Sequence, residues 1–168
     1  TASGTSTKDL VLGVFGKESE AELRAAAYLA LAQGARGLFW YPWCQTGGGP
    51  AGIGLKNSPA QQAVIRQLCA ELRALAPALT APVRQSFRSG DGRLCGLLCE
   101  GERRVLLLVN GSPATIESET AVPGAESANA EWPEFFKARG EPLALREGRV
   151  RLTLAPYEVR VYADPRSR

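Results

Sequence analysis

The first long apolar run, "DLVLGVFG" at residues 9–16, shows no polar alternation and stops at glycine. That pattern predicts a strand buried on both faces, as in a parallel sheet. The period then becomes helical. In "SEAELRAAAYLALAQG", Ser19 and Glu22 form an S-x-x-E capping box, Ala and Leu fill the body, and Gly34 supplies the stop, which predicts a helix over 19–33. "RGLFWYPW", residues 36–43, is a second short apolar run whose proline ends strand pairing. Strand, helix and strand make a βαβ unit. After the glycine-rich "CQTGGGPAGIGLKN", Ser58, Pro59 and Gln61 offer an N-cap, an N1 proline and an N3 partner for a helix over 59–76, ending before Pro77. Its inward stripe is Val64, Leu68, Leu72 and Leu75, widened by Ile65 and Cys69.

From Ala81 onward the period is two. "GRLCGLLCEG", "RRVLLLVNGS", "ATIESET" and "GRVRLTLAPYEVRVYA" are short runs separated by Gly, Pro, Asn and Ser, the pattern of an antiparallel sandwich or small barrel. "LREGRVRL" and "TLAPYEVRVY" read as tight connections between neighbouring strands, and Val159 and Val161 alternate with Arg160 and Tyr162, giving one apolar and one wet face. "ANAEWPEFFKARGEP" reads as a strand edge or loop. The fold class is therefore α/β (β-α-β-α) followed by all-β. A flexible leader covers 1–8, the βαβα portion 9–80 and the antiparallel β-sandwich 81–168. Two parallel strands do not close a sheet, so further strands come from a preceding segment or from another subunit.

Composition narrows the chemistry. The 168 residues carry 20 Lys and Arg against 17 Asp and Glu, spread along the chain, so no basic stripe nominates nucleic acid. The longest nearly uncharged stretch, 38–53, is broken by prolines and glycines, so nothing spans a bilayer directly. Thr1 in a chain without Met fits either removal of an initiator or an internal cut. There is no His, and Cys44, Cys69, Cys95 and Cys99 lack zinc spacing, so they read as packing or surface thiols and neither metal nor cofactor is expected. Without His, Ser–His and Cys–His nucleophiles are excluded, and carboxylates are the ordinary general acids and bases. "TGGGPAGIG" lacks the spacing of a phosphate cradle and reads as a loop, and "VNGS" reads as a turn.

"DLVLGVFG", "AYLALAQGARGLFWYPW" and "SPAQQAVIRQLCAELRALAPAL", followed by a sandwich ending "LTLAPYEVRVYA", together resemble the C-terminal part of bacterial glycoside hydrolases built on a (β/α)8 barrel. The resemblance covers nearly the whole chain after the leader. It makes residues 10–15 resemble barrel strand seven, 37–41 strand eight, and the two helices those that follow them. It implies that Trp40, Tyr41 and Trp43 stand at the barrel mouth, where aromatic faces stack on sugar rings. It also implies a nucleophilic carboxylate at the end of strand seven, where Glu18 is the nearest. A second reading of Glu18 is a charge favoured by the helix dipole.

The expected function is the C-terminal portion of a carbohydrate-active protein, inactive as an isolated chain because the acid/base-bearing strand four is absent. Its partners are the remaining barrel portion or another protein subunit, with carbohydrate as ligand. A second reading is a non-catalytic assembly subunit derived from a hydrolase remnant, and a third is a sugar-binding module. The compartment stays open, with an exported protein or the periplasmic face of a complex among the placements.

Overall fold

A computed structural model describes residues 8–13, 18–42, 54–125, 129–137 and 140–166. The N-terminal layer is a parallel pair, β1 (Lys8–Gly13) and β2 (Ala35–Tyr41), joined through α1 (Glu20–Ala32). Pairing begins at Lys8, inside the stretch assigned to the leader, and runs to Gly13↔Tyr41. The capping box forms as read. Ser19 is extended, its hydroxyl accepts from the Glu22 N–H at 3.2 Å, and Glu22 accepts from the Ser19 N–H at 2.8 Å. Gly34 ends the helix at φ 95°, a left-handed geometry that favours a residue without Cβ.

After a short 3-10 turn (Leu55–Asn57), α2 spans Pro59–Leu79, three residues beyond the expected end. Pro77 lies within it. The proline removes one backbone donor, but only in the final turn, which the Thr80 N–H and hydroxyl close by donating to Ala76 at 2.9 and 2.8 Å. Leu68 and Leu75 of the expected stripe are buried, while Cys69 is exposed. Arg24 and the Tyr28 hydroxyl, both from α1, meet Glu71 of α2 and hold the two helices together. Burial pushes the Tyr28 phenol well above its ordinary range.

Two four-stranded antiparallel sheets follow. The first has the order β10 (Val159–Ala163), β5 (Val105–Asn110), β4 (Leu94–Glu100), β3 (Val83–Arg88). The second has the order β6 (Ile116–Ala121), β9 (Arg149–Leu154), β8 (Leu143–Arg146), β7 (Ala130–Trp132). In the second sheet buried and exposed positions alternate, as the period of two requires. The central strands β4 and β5 of the first sheet depart from that expectation, because both of their faces are covered. Leu97, Leu107 and Val161 pack against the helices, while Leu98, Leu106 and Tyr162 pack against the second sheet. The face of β10 read as wet is therefore interior, and Tyr162 is only 1% exposed.

The "LREGRVRL" connection is a tight hairpin. Glu147 and Gly148 both have positive φ, at 49° and 70°, and join paired strands β8 and β9. "TLAPYEVRVY" is not one. It carries the chain from β9 in the second sheet to β10 in the first. Asn110, at the end of β5 and fully buried, anchors that crossing: its side-chain amide donates to Ala114 and Ala155 carbonyls at 2.7 Å, and its oxygen accepts from the Ser112 N–H at 2.9 Å. Trp132 forms part of β7, an edge strand, and is buried in the inter-sheet core.

Candidate functional site

Parallel strands connected by a helix end at the same edge of their layer, so the C-terminal ends of β1 and β2 and the N-termini of α1 and α2 gather on one side. In α/β architectures ligands bind at this edge. Glu18 stands there, one residue before the Ser19 cap. The Gln61 amide, from the first turn of α2, donates at 3.1 Å to the Glu18 carboxylate and at 3.1 Å to its carbonyl oxygen. Gln61 was expected to serve the cap of its own helix. Ser58 makes no side-chain cap bond, and Gln61 is buried against the neighbouring helix start because the tertiary contact displaces the local one. Its Oε1 has no hydrogen-bond partner among the described residues. Gln62 donates to the Leu55 carbonyl at 2.8 Å, and Leu55 donates its N–H to the Pro42 carbonyl at 3.1 Å, which ties the start of α2 to the end of β2.

The aromatic residues of β2 separate by parity. Leu38 and Trp40 pack, partly buried, against the core on the helix side. Phe39 and Tyr41 point the other way and are 59% and 54% exposed. Trp40 and Tyr41 thus lie on opposite faces and form no common platform, while Trp43 lies outside the described residues. Phe39 shares the open face with Tyr41, as strand alternation requires, and both are exposed on it instead of packing as alternate-face core residues. Of the next acids along α1, Glu20 is exposed and Glu22 has its carboxylate occupied by the Ser19 cap. Among the described residues no group of three or more Cys, Asp or Glu side chains is arranged to hold a metal, and no helix is long and apolar enough to cross a membrane.

The fold is α/β followed by all-β, a partial (β/α)8 barrel carrying an antiparallel β-sandwich. Solved structures share it. AmyP in complex with maltotriose superposes with a TM-score of 0.66 at 11% identity, covering 98% of this chain and 42% of that one. The α-amylase of Anoxybacillus gives 0.63 at 11% identity, covering 94% of this chain and 38% of that one. The maltogenic α-amylase AmyB of Thermotoga neapolitana gives 0.63 at 11% identity, covering 94% and 41%. The chain therefore spans about two fifths of the structures it matches. No family model matches the sequence, and no curated protein matches it.

Proposed function

We propose that this chain is the C-terminal portion of a carbohydrate-active, glycoside hydrolase-like barrel protein, inactive by itself and completed by the remaining barrel portion. The observation that supports this reading is the open β1–β2 layer. Two parallel strands leave Phe39 and Tyr41 bare, on a fold that α-amylase structures continue with more chain. Hydrolysis of a glycosidic bond needs two carboxylates flanking it. Here Glu18 is the nearest carboxylate to the strand ends among the described residues, with Gln61 donating to it, and we assign the exposed Tyr41 to stack on a sugar ring. Trp40 then acts as packing behind that wall, and Trp43, two residues after β2 in the sequence, remains a proposed sugar contact.

The test is an assay of reducing-sugar release from maltooligosaccharides, chosen first because AmyP is bound to maltotriose and maltose. The isolated chain is expected to show no turnover, and the chain joined to the rest of its barrel to gain it. Turnover by the isolated chain sinks the proposal. A second reading is an assembly subunit without catalysis, favoured by the occupied state of Glu18 and Glu22. It predicts a stable complex with the same barrel portion and no hydrolysis.

A further inference from the structure

The register of the second sheet leaves an opening. β8 and β9 pair at Leu145↔Val150 and Arg146↔Arg149, and the same register continued would oppose Leu143 to Leu152. Neither that pair nor Ala144↔Arg151, which would come before it, forms. Where the two strands part, a cleft of about 710 Å³ opens, with both of these leucines in its wall. Arg160 and Tyr162, on the face of β10 that looks across the sandwich, line it as well.

An arginine facing an inter-sheet layer needs partners, and this one is held rigidly. Its Nε donates to Glu158 at 2.7 Å, and the other Glu158 oxygen accepts from the Ala155 N–H at 2.7 Å. Both side chains are about three-quarters buried, at 21% and 24% exposure. The fork is thus fixed before any ligand arrives, which is the condition for a specific polar contact. Glu117, Glu141 and Arg151 complete the charged lining.

The chemistry of this lining selects among ligands. Three glutamates face two arginines, one of which is already paired, so there is no surplus of positive charge to recruit an anion. No metal-binding group of acids is arranged among the described residues. Charged walls disfavour a wholly apolar guest. A neutral, polyhydroxylated guest matches, because each hydroxyl can donate to a carboxylate and accept from a guanidinium. Pro142, which is exposed, and Leu152, which is half-buried, offer apolar surface to the C–H face of a sugar ring. The cleft volume falls in the range of ordinary small-ligand sites, ~300–1,000 Å³.

We propose that the cleft between β8 and β9 is a saccharide-binding site on the sandwich, separate from the β1–β2 edge. It stands whether or not that edge belongs to a hydrolase. The experiment is an NMR titration of the isotope-labelled chain with maltotriose, with cellotriose and with an extended Thr/Val hexapeptide. Backbone signals of Ala144, Leu152 and Tyr162 are expected to shift with a saccharide and not with the peptide. Glu141→Gln, at an exposed position, is expected to weaken binding about tenfold. Ala144→Trp, also exposed, plugs the mouth and is expected to abolish it, with circular dichroism and melting unchanged. Shifts confined to Phe39–Tyr41, a response to the peptide alone, no response to either sugar at millimolar concentration, or undiminished binding by Ala144→Trp each overturn the site. Tyr41→Ala separates the two proposals, since it leaves the cleft signals moving as before.

Discussion

Glu22 shows how much one side chain can be asked to do. Its carboxylate accepts from the Ser19 N–H and then from the Ser19 hydroxyl, and these bonds hold it below the ordinary glutamate value of 4.5 in the folded chain. Unfolding releases them, so the unfolded chain takes up the proton first as pH falls. The stabilisation is therefore present above the ordinary value and lost as pH drops through the folded one. Glu22→Gln retains a cap acceptor but not the charge. It is expected to be less stable than the parent above about pH 5 and to converge on it at lower pH, as read by urea denaturation across a pH series. A gap that does not narrow on acidification would show that the carboxylate charge is not the source. Ser19 and Glu22 were legible because a capping box is local. Gln61 was not, because the same local grammar pointed it to its own helix while Glu18, 43 residues away in sequence, took its amide.

Among elements, the β3–β4 pair depends on one glycine. Gly96 lies opposite Phe87, and a Cβ at that position would come within 2.1 Å of the ring. Phe87 covers the place where a side chain would stand, and packs against the inter-sheet core. Gly96→Ala is expected to destabilise by about 1–3 kcal/mol through overpacking. In a double-mutant cycle with Phe87→Ala the combined loss should fall short of the sum; strict additivity in chemical denaturation would refute the contact. The second face of the first sheet was available in the sequence. "VLLLV" in β5 is as continuous as "DLVLGVFG", and the rule that makes one strand doubly buried applies to the other. What the pattern does not contain is which residue of an unbroken apolar run faces which layer; alternation puts Trp40 and Tyr41 on opposite faces, but not which of them meets the helices.

For the whole molecule, the helices and the first sheet share one core. Leu23, Tyr28 and Leu68 from the helices pack in the same cluster as Leu97, Leu107 and Val161 from the strands. A fragment of residues 81–168 leaves that face of the sheet in water, so it is expected to aggregate or to bind a hydrophobic dye several-fold more strongly than the intact chain. A monomeric, non-binding fragment would show that the sandwich closes without the helices. The order of elements was readable from period and punctuation, but the sharing of a core was not, because it depends on which faces meet in space.

A strand that is greasy on both sides carries a particular risk. Sliding β5 by one residue exchanges its two sets of leucines and valines between the layers without exposing anything polar, so solvent gives no signal that the alignment is wrong. Asn110 restores the distinction. Its amide is satisfied only where Ala114 and Ala155 present their carbonyls. A slip would leave that amide stranded in the interior at a cost of about 1–3 kcal/mol. One buried amide thus serves as the alignment pin of the whole sandwich, telling apart two packings that hydrophobicity alone would treat as equal.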